Sequence, residues 1–201
     1  MRQHWYHKAM SKPQNAIILH GKPTRDEYYD PANPSESNSH WLPWLQKRLL
    51  MHDVPAATPE VPLSFDPQWK AWVREIERFD ITPQTALVGH SCGGGFWVRY
   101  LSEHPELQVG KVVLVAPWLD PDGDETGDFF HFDIDPALVA RTAGITIFNS
   151  DNDMGNVHKS VATLRGRIEG VQYREFHGMG HFVMESMGTT EFPALLEELL
   201  R

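Results

Sequence analysis

Three residue types that could together carry out acyl transfer occur along the chain in the order Ser91, Asp153, His181. A serine hydroxyl is a poor nucleophile at neutral pH, so it needs a histidine to take its proton and a carboxylate to orient that histidine. Ser91 lies in Gly89-His90-Ser91-Cys92-Gly93, a G-x-S-x-G pattern whose glycines allow a strand to turn sharply into a helix. The pattern predicts an exposed serine at a helix N-terminus, where backbone N–H groups favour negative charge.

The acid and the base each have a neighbour of the same type. Asp153 falls three residues past the end of a predicted strand, which leaves a turn that could swing its carboxylate towards the histidine. Asp151 is closer to that strand and could cap the turn, but it stays a candidate for the acid. His177 and His181 are four residues apart, yet the two glycines between them disfavour a helical metal pair and no third ligand is evident. We therefore predict His181 as the base, with no metal and no cofactor.

Two backbone N–H groups could stabilise the oxyanion that forms on a reacting carbonyl. Cys92 follows the serine and supplies the first one. A second would come from Lys22, which follows a His20-Gly21 pair at the end of a predicted strand; Pro23 has no N–H to offer. The pair could equally be a plain turn that ends the strand.

The elements that would position these groups alternate between short apolar runs and amphipathic helical patterns. Strands are predicted over residues 16–19, within 54–61, and over 85–88, 111–116, 145–150 and 171–176, the last nearer a sheet edge. Helices are predicted over residues 41–52, 67–79, 96–103, 157–168 and 192–200. This order predicts an α/β fold with a mostly parallel sheet and helices on both faces. The carboxyl ends of parallel strands share one edge, so Ser91, Asp153 and His181 should converge there.

Composition sets the domain organisation and excludes several partners. The chain has 201 residues and 41% hydrophobic content, which suits one domain over residues 16–201 behind an N-terminal arm of residues 1–15. The net charge of −9 argues against nucleic acid or an anionic membrane as partner. One cysteine and no long apolar run lead us to expect a soluble, cytoplasmic protein.

Two segments interrupt the alternating pattern. Residues 22–39 are rich in proline, serine and asparagine and predict a long surface loop beside the site. Residues 120–135 interleave seven carboxylates with Phe129, Phe130 and Phe132. Glu125 and His131 stand where a calcium loop of the EF-hand type needs glycine and glutamate, so we predict a small lid near Ser91 instead. The same acidic segment could also be a surface for a protein partner.

The chain resembles the small serine hydrolases grouped with retinoblastoma-binding protein nine, within the α/β-hydrolase superfamily. The resemblance runs from about residue 16 to the C-terminus. It rests on the Gly89–Gly93 pattern, the Ser150–Asp153 turn, Gly180-His181-Phe182, a first helix with tryptophans and a minimal cap. It implies a compact α/β-hydrolase with Ser91 as nucleophile, Asp153 as acid and His181 as base.

The resemblance also implies a function. We expect hydrolysis of carboxylic esters or amides of small substrates through an acyl-enzyme on Ser91. The alternative is a hydrolase-like scaffold whose main role is to bind a protein partner through residues 120–135.

Overall fold

Six parallel strands form one sheet in the computed structural model, which describes residues 12–201. In chain order they are β1 (Asn15–Leu19), β2 (Ala56–Ala57), β3 (Thr85–His90), β4 (Val112–Val115), β5 (Ile145–Ser150) and β6 (Gln172–Phe176). Their order across the sheet is β2-β1-β3-β4-β5-β6. This confirms the predicted α/β fold with a parallel sheet and the edge position of the last strand. The arm expected over residues 1–15 lies mostly outside the described residues.

Seven α-helices flank these strands within residues 12–201. They are α1 (Arg25–Tyr29), α2 (Leu42–Met51), α3 (Trp69–Ile76), α4 (Cys92–Glu103), α5 (Gly155–Arg167), α6 (Met184–Met187) and α7 (Pro193–Leu200). Every helix in this part of the chain falls short of the length and hydrophobicity that a bilayer span demands.

Strand β3 is the part of the sheet that positions the site. All six of its residues are buried, and because successive side chains point to opposite faces, both faces of the sheet must be covered. In register, Leu19 of β1 is paired with Gly89 and Val115 of β4 with His90. The residues that follow β1 and β3 therefore emerge side by side at the carboxyl edge.

Helix α4 begins at Cys92, four residues earlier than the sequence predicts. Glycine is a weak helix former, and residues 93–95 are all glycine, so local propensity does not favour a start before Phe96. Close packing overrides that weakness here. A Cβ on Gly94 would lie 3.0 Å from the Pro117 Cβ, and one on Gly95 would lie 2.1 Å from the Trp118 carbonyl oxygen. The glycines let the first turn of α4 approach the chain after β4.

Residues 22–39 are not the irregular loop that the sequence predicts, because they include α1 and a 3₁₀ turn over Glu36–Asn38. Helix α1 begins with a capping box. The Thr24 hydroxyl accepts a bond from the Glu27 N–H at 3.2 Å, and the Glu27 carboxylate accepts one from the Thr24 N–H at 2.8 Å. The Thr-x-x-Glu spacing was the available signal, obscured by the prolines on both sides.

Only two residues of the strand predicted within residues 54–61 pair with the sheet. Pro55, Pro59 and Pro62 cannot donate to a neighbouring strand, which limits β2 to a short edge strand.

Tryptophans at the first two long helices belong to the core. Trp41, just before α2, and Trp72 of α3 are fully buried, and Trp72 packs 5.6 Å from the ring of Phe96 in α4. These rings pack the helices against the sheet below the site.

Candidate active site

Ser91 occupies a sharp turn between β3 and α4. Its φ is +51°, a strained value for a residue with a side chain. A Cβ on Gly89 would lie 2.5 Å from the Gly93 carbonyl oxygen, and one on Gly93 would lie 2.3 Å from the His20 carbonyl oxygen. Any larger residue at either position would push against backbone, so the turn requires both glycines of the G-x-S-x-G pattern.

Ser91, His181 and Asp153 form one continuous series of hydrogen bonds. The Ser91 Oγ lies 2.9 Å from the His181 Nε2, although the two residues are 90 positions apart in sequence. The His181 Nδ1 lies 2.9 Å and 3.1 Å from the two carboxylate oxygens of Asp153. A carboxylate can only accept, so Nδ1 donates to Asp153 and Nε2 presents a lone pair to the serine hydroxyl.

Asp151 takes part in a different pair. Its carboxylate lies 2.7 Å from the His177 Nδ1 and accepts a bond of 2.9 Å from the Gly178 N–H. These bonds lower the pKa of Asp151 and raise that of His177. The Asp151 side chain is 42% exposed, whereas that of Asp153 is 0% exposed. The turn after β5 therefore directs one carboxylate to the solvent-exposed His177 and the other to His181.

Ser150 and Asn152 hold the loop that carries His181. The Ser150 Oγ accepts from the Met179 N–H at 2.9 Å and donates to the Asn152 Oδ1 at 2.8 Å. The same Asn152 oxygen accepts from the Gly180 N–H at 2.8 Å. Sequence reasoning assigned neither side chain this role. A serine followed two residues later by asparagine at a strand end was the signal, because both side chains bond readily to nearby backbone.

The two residues predicted as oxyanion donors belong to segments next to Ser91: Cys92 follows it in sequence, and Lys22 follows Gly21, which packs against it. The N–H groups of Cys92 and Lys22 donate to no acceptor among residues 12–201. Cys92 begins α4, where the helix dipole adds positive potential. Gly21, next to Lys22, packs so closely that a Cβ on it would lie 3.2 Å from the Ser91 Cβ. Burial raises the pKa of the Cys92 thiol, so its side chain stays protonated.

His20 fixes the backbone that leads to Lys22. Its Nδ1 donates to the Gly21 carbonyl oxygen at 2.7 Å, while its Nε2 accepts from the Val61 N–H at 3.0 Å. Burial lowers the pKa of His20, which keeps Nε2 free of a proton. The Lys22 side chain is held as well, because its Nζ lies 3.1 Å from a Glu125 oxygen.

A cleft of about 640 Å³ opens above Ser91 and His181. Four carboxylates line it, from Glu27, Glu36, Glu125 and Glu185. Its larger apolar side chains are those of Trp118, Met154 and Met184. Lys22 also lines the cleft, but its charge is paired with Glu125. The potential inside the cleft is therefore negative.

The prediction that residues 120–135 form a lid is wrong for the phenylalanines, which pack against the core. Phe129 is fully buried and packs 5.3 Å from the ring of Trp72, and Phe130 fills the space left beside Gly95. Apolar rings gain more from the core than from a solvent-exposed lid. Of the residues in this segment, Glu125 alone lines the cleft. Its backbone is held by Asp120, whose carboxylate accepts from the Glu125 N–H at 3.0 Å.

No group of three or more histidine, cysteine, aspartate or glutamate side chains within residues 12–201 is arranged to hold a metal ion.

Comparison with known proteins supports the fold and assigns the family. The chain is 29% identical over 183 residues to the candidate hydrolase YdeN of Bacillus subtilis (strain 168), covering 88% of this chain and 95% of that one. The crystal structure of the B. subtilis ydeN gene product aligns with a TM-score of 0.78 at 24% identity, over 92% of this chain and 96% of that one. Est1E from Butyrivibrio proteoclasticus, in a structure with ferulic acid bound, aligns with a TM-score of 0.59 at 12% identity, over 96% of this chain and 89% of that one.

A sequence profile described as serine hydrolase matches residues 32–201, a range that includes Ser91, Asp153 and His181. Because this match covers well over half of the chain, the protein belongs to the serine hydrolase family.

Proposed function

We propose that this serine hydrolase cleaves carboxylic esters or amides of small substrates through an acyl-enzyme on Ser91. The observation that carries the proposal is the unbroken hydrogen-bond series from the Ser91 Oγ through His181 to Asp153. Such a series activates a hydroxyl because the imidazole can accept its proton while the carboxylate stabilises the resulting imidazolium.

In the first half of the reaction, Ser91 Oγ attacks the substrate carbonyl carbon while its proton passes to the Nε2 of His181. The N–H groups of Cys92 and Lys22 would bind the carbonyl oxygen as it becomes an oxyanion. His181 then gives the proton to the departing alcohol or amine, which leaves an ester on Ser91. In the second half, His181 takes a proton from water, the hydroxide attacks the ester, and the carboxylic acid leaves as Ser91 regains its proton.

A serine-directed fluorophosphonate tests this proposal. Wild-type protein should be labelled on Ser91 and should hydrolyse p-nitrophenyl acetate. Ser91→Ala should lose labelling, and its kcat should fall by more than about 10³-fold, because the nucleophile is gone. Folded wild-type protein that resists the probe and turns over no ester would contradict the proposal.

The negative potential of the cleft supports a preference for neutral or cationic substrates. Burial, and secondarily the neighbouring Glu60 and Glu27, raise the pKa of Glu36 to about 7, so this group adds its full charge to the cleft only above neutral pH. An anionic substrate would meet these carboxylates, while a cationic one would be attracted.

This preference is measured with two p-nitrophenyl esters of equal acyl length, one ending in a methyl group and one in a carboxylate. We expect a higher kcat/KM for the neutral ester, and a smaller difference at high salt because charges are then screened. Faster hydrolysis of the anionic ester would refute the preference.

The scaffold alternative has less support, because burial of Phe129 removes part of the apolar surface that a partner would use. A scaffold would keep its role in Ser91→Ala, whereas an enzyme would not. A place within the retinoblastoma-binding protein nine group and a cytoplasmic location stay predictions from the sequence.

A further inference from the structure

His90, the residue before Ser91, bonds to the main chain of His181. Its Nε2 lies 2.8 Å from the His181 carbonyl oxygen. A carbonyl oxygen can only accept, so His90 donates from Nε2. His181 is therefore held by two consecutive residues of the sharp turn between β3 and α4, called the elbow below: Ser91 bonds to its ring and His90 bonds to its carbonyl oxygen.

The His90 side chain has little freedom to move. It is 4% exposed and packs edge-on against Trp41, with ring centroids 5.8 Å apart. The His40 and His181 rings lie 6.1 Å and 5.0 Å from it. Burial, and secondarily these two histidines, lower the pKa of His90 well below its usual range, so the ring stays neutral with its proton on Nε2.

The loop around His181 depends on such contacts. Gly180 and Phe182, on either side of it, have φ values of +53° and +55°. A phenylalanine in the left-handed region is strained and persists only where its surroundings hold it. Ser150 and Asn152 hold the N–H groups before His181, and His90 holds the carbonyl of His181 itself.

We propose that His90 is a positioning residue, whose hydrogen bond to the His181 carbonyl keeps the His181 ring within reach of the Ser91 Oγ. This inference rests on the proposed acyl-enzyme function. A displacement of about 1 Å in such a group costs on the order of 100-fold in rate. Because His90 acts through the backbone of the base, its loss should slow the chemical step and leave substrate binding unchanged.

Two substitutions separate the hydrogen bond from the presence of a polar residue. His90→Gln places an amide N–H near the position of Nε2 and keeps a donor for the carbonyl. His90→Asn is too short to reach it. We expect His90→Asn to lower kcat for p-nitrophenyl acetate and the rate of fluorophosphonate labelling by about 10- to 100-fold, with KM unchanged. His90→Gln should recover most of both rates. His131→Asn, at an exposed position, should alter neither kcat nor the labelling rate.

Each outcome bears on one claim. Equal rates in His90→Asn and wild type, equal losses in the Asn and Gln variants, or a change confined to KM would overturn the positioning role while labelling of the wild type upheld the proposed function. An unreactive wild type would overturn both.

If His90→Asn fails to fold, ¹H–¹⁵N spectra of the wild-type imidazoles decide. His90 should show the neutral Nε2–H tautomer from pH 6 to 8, near and above the ordinary histidine pKa of about 6.5. A proton on Nδ1 alone would overturn the inference.

Discussion

Two aspartates on the turn after β5 each bond to a histidine that follows β6, and the two pairs differ mainly in burial. Asp153 bonds to His181 with its side chain closed off from solvent, whereas Asp151 bonds to an exposed His177. A buried carboxylate keeps its orientation and its effect on a neighbouring charge, while water and salt weaken an exposed pair. The same two residue types therefore offer a place for chemistry in one pair and a surface contact in the other.

Substitution of each acid by asparagine measures this difference. Asp153→Asn should lower kcat by about 10³- to 10⁴-fold, because an amide cannot stabilise the imidazolium or enforce the tautomer with Nδ1–H. Asp151→Asn should leave ester hydrolysis within about twofold, because it removes an exposed pair. Steady-state kinetics of both folded variants check this. A larger loss of kcat in Asp151→Asn than in Asp153→Asn would show that Asp151, and not Asp153, is the acid.

At this scale the sequence predicts residue types better than it predicts partners. Ser91 was identified by its flanking glycines, which stand two residues away on either side in the sequence. The choice between Asp151 and Asp153 depends on which of them the His181 ring can reach. The position of His181 is set by Ser150 and Asn152, whose side chains accept bonds from the backbone just before it. No local pattern carries that information.

The elbow shows how one element relies on its neighbours. Strand β3, helix α4 and the chain after β1 meet at Gly89 and Gly93, and a Cβ on Gly93 would also lie 2.8 Å from the Leu19 carbonyl oxygen. For helix α1, the sequence itself carries a start signal, because the Thr24-x-x-Glu27 spacing is that of a capping box. The late start predicted for α4 shows the opposite case, because helix propensity cannot report contacts made after folding.

Two glycine-to-alanine substitutions in different helices test the close approach. Gly93→Ala should destabilise the protein by about 3 kcal/mol or more, because backbone atoms on the neighbouring segment must move. Gly166→Ala, in α5 with nothing within 4 Å of the new Cβ, should stabilise it by about 0.5 to 1 kcal/mol. Urea unfolding midpoints give both values. A Gly93→Ala protein as stable as the wild type would show that the elbow is less tightly packed than described.

For the whole molecule, the net charge is −9, and four of its carboxylates, from Glu27, Glu36, Glu125 and Glu185, line the cleft. Glu36 is partly buried beside Glu60 and Glu27, and its pKa rises from an ordinary value of 4.5 to about 7. The folded protein thus holds a proton between these pH values that the unfolded chain releases. The contribution of Glu36 to stability is fully present below pH 4.5 and falls as pH rises through 7.

Glu36→Gln should remove this dependence. We expect the difference in free energy of unfolding between variant and wild type to favour the variant by about 1 to 2 kcal/mol more at pH 8 than at pH 4. This figure allows for solvent screening of a partly exposed group. Thermal or urea unfolding at the two pH values provides the measurement, with exposed Glu191→Gln as the control for charge alone. An equal effect of Glu36→Gln at both pH values would contradict the raised pKa.

The parallel pairing of the sheet followed from alternating strands and helices, because a helix between two strands joins parallel neighbours; the strand order was not predicted. The position of residues 120–135 could not be predicted in the same way. Alternating carboxylates and phenylalanines suit a surface segment, yet Phe129 fills a gap between α3 and α4 that only the assembled helices create.

The sheet order has a consequence during synthesis. Ser91 leaves the ribosome long before His181, whose loop follows the edge strand β6, so the two side chains can meet only after β5 and β6 have been added to the sheet. Until then the hydroxyl has no base beside it and is as inert as any other serine. On the function proposed above, a nascent chain therefore presents no reactive nucleophile to metabolites, and the appearance of probe reactivity would report completion of the fold.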